Sequence, residues 1–219
     1  LGLILNHYPG LRNYGQHPSK DKKIVHVDID PNVINSNYKS HISLVAEIKE
    51  TLKILNKHVI KKNFKGDKIV KEVKKKKFKD FNKLSEENSG LIKPERIVKE
   101  LNNVLPVNTY IVVDPGTPCP YFAAYYNFKK PGRYFLTNRA HGALGYALPA
   151  AIGVQVGKPK NRVVSVMGDG SFGFAVGELE TAIRLKLPVI FIVISNSVYG
   201  WIKAGQKTKF DKRYFSVDF

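Results

Sequence analysis

The sequence predicts an α/β protein built on a parallel sheet flanked by helices. Three observations carry this. From Arg162 to Gly200 an apolar run, a helically spaced segment and a second apolar run follow in the order strand, helix, strand. Two more short runs, Tyr110 to Val113 and Tyr134 to Leu136, precede it in the same half of the chain. A further pair, Leu1 to Leu5 and Ile24 to Asp30, lies ahead of a lysine-rich stretch that divides the sequence.

The chain has 219 residues, 43% of them hydrophobic, enough for one well-packed domain and part of another. It begins at Leu1, directly inside an apolar run, and no signal peptide is expected. No apolar stretch approaches the roughly 20 residues of a membrane span, so no membrane association is expected. The one cysteine, Cys119, excludes an internal disulfide framework and suits a reducing cytoplasm, the expected location; between two prolines it reads as a packing residue.

In chain order, Ile24 to Asp30 (IVHVDID) is a strand stopped by Pro31, and Lys39 to Leu55 moves towards helical spacing. Asp28 and Asp30 read as caps of the loop after the strand. His7, His17, His26 and His41 show no metal-ligand spacing. Lys57 to Lys83 carries many lysines and almost no large apolar cluster, and reads as a linker. Much of the formal charge of +18 lies there. The stretch lacks arginine and lacks aromatics spaced for base stacking, so no specific nucleic-acid partner is expected; Phe64, Phe78 and Phe81 can anchor it to a neighbouring domain. The resulting division is 1–56, a linker over 57–90, and a second domain over 91–219.

In that second domain Lys93-Pro94-Glu95 opens a helix through Leu105, with proline where its missing N–H costs nothing. Tyr110 to Val113 is the first strand and runs into Asp114-Pro115-Gly116-Thr117. After Tyr134 to Leu136, the small residues Gly142, Gly145, Ala147, Ala150, Ala151 and Gly153 let a helix pack closely on the sheet. Arg162 to Met167 is a strand buried on both faces. Val176 to Leu187 is a helix with Val176, Leu179, Ile183 and Leu187 on one side, stopped by Pro188, and Val189 to Ile194 is the next strand.

A strand, helix and strand in this order close as a right-handed parallel pair, with strands about 4.8 Å apart. Asp169 lies two residues beyond Met167 and Asn196 two beyond Ile194, so both reach the carboxyl edge, where open α/β sheets bind ligands. Two hard oxygen donors suit Mg²⁺. Gly168 and Gly170 allow close backbone approach, Ser171 adds a hydroxyl, and the amides ahead of the next helix offer an anion site.

Gly168-Asp169-Gly170-Ser171 followed at this spacing by Asn196 resembles the thiamine diphosphate motif of the acetolactate synthase-like enzymes, a group of 2-oxo acid decarboxylases and carboligases. The resemblance implies that Asp169, Asn196 and the carbonyl of Val198 hold Mg²⁺, which holds the cofactor's diphosphate. Ser195 stands where the family often has a second asparagine. It implies that Gly116 and Thr117 contact the diphosphate, although acetolactate synthases usually have glutamine and histidine after that glycine, where this chain has Thr117 and Pro118. Ahead of Leu148-Pro149-Ala150-Ala151-Ile152-Gly153, Leu144 takes the place of the bulky residue that bends the cofactor into a V, usually methionine. The carbonyl of Gly142 and the amide of Leu144 would then bind the aminopyrimidine edge. Tyr199 and Gly200 complete the expected cofactor-binding set. Trp201 and Lys203 would lie on the substrate side, with Lys203 able to meet a substrate carboxylate, and Ala204-Gly205 replaces a glutamine-tryptophan pair. His141 reads equally as a proton donor or a packed residue.

On this resemblance the fold is the thiamine diphosphate-binding fold, C-terminally truncated over 91–219, preceded by the end of a nucleotide-fold domain over 1–56. That domain binds FAD in some relatives and an adenine nucleotide in others; nothing in residues 1–56 specifically supports FAD. The expected function is that of a fragment of a thiamine diphosphate- and Mg²⁺-dependent decarboxylase or carboligase acting on a small 2-oxo acid. The competing expectations are a simple 2-oxo acid decarboxylase, an oxalyl-CoA or 2-hydroxyacyl-CoA lyase, and a non-catalytic module that keeps the cofactor fold. The resemblance implies a homo-oligomer in which a partner subunit's pyrimidine-binding domain supplies the activating glutamate. No residue of this chain is assigned that catalytic role, and the fragment alone is expected to be inactive.

Overall fold

A computed structural model describes residues 23–36, 39–60, 66–88, 90–138 and 142–219. The expected strand at Leu1 to Leu5, and His7, His17, Phe64 and His141, lie outside the described residues. The chain divides into two compact units, Leu1–Gly66 and Asp67–Phe219.

In the first unit, strand β1 (Val25–Asp28) pairs in parallel with β2 (Ile42–Val45), and helix α1 (Ile48–His58) follows. The expected helical spacing over Lys39 to Leu55 is thus corrected at its start. Ile42, Leu44 and Val45 extend beside β1, and the helix begins only after Glu47, whose carboxylate accepts the Glu50 N–H at 2.9 Å as an N-cap. Asp28 and Asp30 accept the backbone N–H groups of Asp30 and Asn32, each at 2.9 Å, as loop caps do. His41 Nδ1 accepts the Ile24 N–H at 3.0 Å and His26 Nδ1 the Asn35 N–H at 3.3 Å, so both imidazoles brace the backbone.

The second unit opens with a long lysine-rich helix, α2 (Gly66–Glu86), within the stretch read as a linker. Its charges face outward while Phe81, 5% exposed, stacks on Tyr125 with ring centroids 4.5 Å apart. Phe78 meets the same tyrosine edge-on at 5.8 Å. Lys77 stays exposed and donates to the Ala124 carbonyl at 2.7 Å. Helix α3 (Pro94–Val104) starts on its proline as expected and buries Val98 completely.

A four-stranded parallel sheet forms the centre, with β3 (Tyr110–Val113), β4 (Phe135–Leu136), β5 (Val163–Gly168) and β6 (Ile190–Ile194) in the order β4-β3-β5-β6. Helices α4 (Pro118–Tyr125), α5 (Ala147–Gly157), α6 (Asp169–Ala175), α7 (Leu179–Arg184) and α8 (Gly200–Lys209) complete the unit. Alternation along β3 and β5 sends side chains to two cores. Ile111, Val113, Val164 and Val166 meet Phe81, Val98, Cys119 and Phe122 on one side. Val112, Val163 and Met167 meet Leu148, Ala151, Ile152 and Ala182 on the other. A sheet covered on both faces needs such continuous apolar strands, which is the predicted fold class. Cys119 is a free, buried packing residue.

The helix expected over Val176 to Leu187 is built differently. Helix α6 starts at Asp169 itself, a 3₁₀ turn over Val176–Glu178 re-phases the chain, and α7 is short. Within α7 the inward side runs through Leu179 and Ala182, which leaves Ile183 76% exposed, and Val176 in the 3₁₀ turn is 45% exposed. The helix ends before Pro188: Lys186 adopts φ 52° and the Leu187 N–H returns to the Ala182 carbonyl at 2.9 Å, a C-terminal cap that needs no proline.

This packing is checked by urea denaturation. Ile111→Ala empties a fully buried site in the first core and is expected to lower the unfolding free energy by about 2–5 kcal/mol, whereas Ile183→Ala should change it by less than about 0.5 kcal/mol.

Candidate cofactor site

The site follows from strand register. Val113 of β3 pairs with Val166 of β5, and Gly168 at the end of β5 pairs with Ile194 at the end of β6. The loops leaving these strands therefore share one edge. A cleft of about 770 Å³ opens there, lined by all twelve residues of the expected cofactor-binding set: Gly116 and Thr117 after β3, Gly142 and Leu144 ahead of α5, Gly168, Asp169, Gly170 and Ser171 after β5, and Asn196, Val198, Tyr199 and Gly200 after β6.

Asp169 is the most heavily bonded of them. Its Oδ2 accepts the backbone N–H of Asn196 at 2.8 Å, that of Ser197 at 2.6 Å and the Ser195 hydroxyl at 3.0 Å. Its Oδ1 accepts only the Gly170 N–H, at 2.8 Å. Burial acts to raise the pKa of this carboxyl, but the donors from Ser197, Asn196, Gly170 and Ser195 together outweigh it and hold the group below the ordinary aspartate value. Asp169 is an anion at neutral pH with a spare lone pair on Oδ1.

Asn196 and Val198 supply two further oxygens. Asn196 Oδ1 accepts the Val198 N–H through a long bond of 3.3 Å and keeps its second lone pair. Val198 forms an antiparallel bridge with Asp218, but the flanking bonds run from the Tyr199 N–H to the Val217 carbonyl and from the Phe219 N–H to the Ser197 carbonyl. That pattern leaves the Val198 carbonyl out of the ladder. Among the described residues no group of three or more His, Cys, Asp and Glu side chains is placed to hold a metal. A cation here would rest on one carboxylate with amide and carbonyl oxygens, a hard donor set that fits Mg²⁺.

Two expected donors are otherwise engaged. The Gly170 amide bonds its neighbour's carboxylate rather than facing a ligand, because α6 begins at Asp169 and the side chain folds over its own first turn. The Ser171 hydroxyl donates to Asp114 Oδ1 at 2.8 Å, so towards the cleft its oxygen can only accept. Lys203 is also elsewhere than expected: it pairs with Asp218 and sits 5.3 Å from the centroid of the Tyr214 ring, and it is not among the cleft-lining residues, whereas Trp201 is.

Asp114 escaped the sequence reading. It follows β3, is completely buried, and accepts the Ala147 N–H at 3.0 Å through Oδ2. Burial raises its pKa, opposed by bonds from Ala147, Ser171, Gly145 and Tyr146. An acid set directly after four apolar strand residues, with a small-residue helix start to follow, is the available signal for such a group. Gly200 is fixed by close approach: a Cβ there would fall 2.9 Å from Thr117 Oγ1 and 3.6 Å from Asn196 Nδ2.

These features define an α/β cofactor domain with an oxygen-donor site at the carboxyl edge of a parallel sheet. Residues 114–219 match the family described as thiamine pyrophosphate enzyme, C-terminal TPP binding domain. Among individual relatives, the chain is 31% identical over 198 residues to the acetolactate synthase large subunit of Buchnera aphidicola subsp. Schlechtendalia chinensis, covering 87% of this chain and 34% of the relative. It is 32% identical over 201 residues to the acetolactate synthase of Bacillus subtilis, covering 91% and 35%. The probable acetolactate synthase large subunit of Methanocaldococcus jannaschii is likewise 32% identical over 207 residues, covering 90% and 34%. The chain spans about a third of the length of these relatives. No helix among the described residues is long and apolar enough to cross a membrane.

Gly200→Ala is expected to destabilise the fold by about 1–3 kcal/mol in urea unfolding, since its Cβ would press on the β-branched Thr117. Adding Thr117→Ala removes the obstructing hydroxyl and should restore most of that loss.

Proposed function

We propose that this chain is the diphosphate-binding part of a thiamine diphosphate- and Mg²⁺-dependent enzyme that acts on 2-oxo acids in the manner of an acetolactate synthase. The observation that carries this reading is the Asp169 site. An ionised carboxylate is locked by four donors at the ends of two parallel strands, and it keeps a free lone pair beside two further oxygens in one cleft.

Asp169 Oδ1, Asn196 Oδ1 and the Val198 carbonyl would hold Mg²⁺, and through it the diphosphate. Gly116, Thr117 and Gly200 would face the phosphates where the turns after β3 and β6 come together, with Gly168, Gly170 and Ser171 as the floor. Leu144 would wedge against the rings, with the Gly142 carbonyl and Leu144 amide on the aminopyrimidine edge. Tyr199 is fixed against Phe219, ring centroids 4.9 Å apart, at the rim. When bound, thiamine diphosphate supplies the nucleophilic carbon and electron sink for 2-oxo acid decarboxylation and carbon–carbon bond formation. The chain's own residues bind and orient it and, with Trp201 and Ile202 on the cleft wall, exclude water. A glutamate from a pyrimidine-binding domain of a partner subunit completes the proposed site, which makes the working enzyme a homo-oligomer.

Isothermal calorimetry with thiamine diphosphate tests this. Binding should require Mg²⁺, and Asp169→Ala should weaken it by at least about 100-fold, since loss of even an outer-shell partner of a metal ligand costs about 10–100-fold. Binding indifferent to both Mg²⁺ and the substitution would remove the metal-anchored reading.

A further inference from the structure

Two aspartates end neighbouring strands in this domain, and the proposed function uses only Asp169. Asp114 is the more deeply placed: no part of it is exposed, and its backbone N–H is tied to the Val166 carbonyl at 2.9 Å. A carboxylate so placed must be fully partnered. One oxygen takes the Ser171 hydroxyl at 2.8 Å and the other the Ala147 N–H at 3.0 Å, and the Gly145 and Tyr146 amides also favour the charged carboxylate. Helix α5 has no side-chain cap of its own, because Tyr146 at its N-cap makes no such bond. Asp114 therefore caps α5 from a distance, 33 residues away in sequence, with its negative charge at the positive end of the helix.

The capped segment carries Leu144 immediately ahead of it. Gly145 turns the chain at φ 85°, so Leu144 projects into the cleft from a one-residue pivot, with its Cδ2 3.8 Å from where a Cβ of Gly116 would stand. The amides gathered by Asp114 are the next three along the chain. The Asp169 carboxylate has donors of its own, Gly170, Ser195, Asn196 and Ser197, which are not those that Asp114 accepts. The Asp169 carboxylate is thus braced without Asp114, whose one side-chain tie to that end of the cleft is the Ser171 hydroxyl.

We propose that Asp114 is a positioning residue that sets Leu144 in the cofactor cleft by anchoring the Gly145–Ala147 amides, and leaves the metal end to its own supports. This rests on the thiamine diphosphate reading. Its consequence is selectivity: removing the Asp114 charge while its bond with Ser171 is kept loosens the grip on the organic rings and spares the grip on the diphosphate.

The test compares two probes, thiamine diphosphate and inorganic diphosphate, each with Mg²⁺, by calorimetry on the protein and on Asp114→Asn. The amide keeps the shape, can still accept from Ala147 and can donate to the Ser171 oxygen, but lacks the charge. Thiamine diphosphate should weaken about tenfold, equivalent to about 1.4 kcal/mol, while inorganic diphosphate moves by less than about twofold. Asp114→Ser, which is shorter and cannot reach both partners, should weaken thiamine diphosphate further and by more than it weakens inorganic diphosphate, and serves if Asp114→Asn does not fold. In a Leu144→Ala background Asp114→Asn should add nothing, because its effect passes through that side chain. Equal weakening of both probes, no weakening, or full additivity with Leu144→Ala overturns the positioning role while the cofactor reading stands. Failure of the unsubstituted protein to bind either probe overturns both.

Discussion

Parallel strands that end level are the constraint on which the rest of this domain depends. With Val113 beside Val166 and Gly168 beside Ile194, the turns after β3, β5 and β6 emerge at one edge. The carbonyl ends of parallel strands all point the same way, so a cleft at that edge gathers residues distant in sequence without a long loop. Asp169 converts this proximity into a fixed geometry: one oxygen accepts donors from three successive residues beyond β6, tying the two strand ends together. Ser197, at φ 54°, turns the chain so that its N–H can join them.

That edge stays in place because both faces of the sheet are filled. Completely buried valines on β3 and β5 lead into two separate cores, one closed by α2, α3 and α4 and the other by α5 and α7. Helix α2 shows how a strongly basic segment can belong to such a domain. Phe78 and Phe81 supply the contact, Lys77 lays its ammonium 5.2 Å from the centroid of the Tyr125 ring, and the other lysines stay hydrated. The helix is held by its aromatic residues, and its charge governs what happens at the outer surface.

Much of this was legible in the sequence, for identifiable reasons. Strands buried on both faces are continuous apolar runs, so β3, β5 and β6 stand out, and the spacing of Asp169 and Asn196 from the run ends fixed their meeting. Helix α6 was hidden because Gly168-Asp169-Gly170-Ser171 and Gly173 have poor helix propensity; its start is stabilised by the sheet and by Asp169 folding over its first turn. Strand β2 was hidden because Ile42–Val45 is short and runs almost directly into α1. Ile183 was placed on the wrong face because the inward side of α7 runs through Leu179 and Ala182, and a lone alanine does not mark a stripe in an apolar pattern. Lys203 was assigned to the substrate side, and the structure gives its charge to Asp218, a partner 15 residues on that no local pattern reveals.

The two strand-end aspartates show why residue type alone does not assign a role. Each accepts several backbone N–H groups at the same sheet edge, yet their pKa values move in opposite directions. For Asp114 complete burial dominates, both oxygens are spent on protein donors, and the group serves as an internal joint. For Asp169 the donors prevail over partial burial, the charge is kept at neutral pH, and one oxygen retains a lone pair facing the cleft. Burial is what separates them, and burial depends on which helix start lies across each turn. The small-residue opening of α5 closes over Asp114, whereas the turn from Asn196 to Gly200 supports Asp169 from one side and leaves the other open. A ligand-binding carboxylate in such a sheet is therefore recognised by the acceptor capacity its neighbours leave unused.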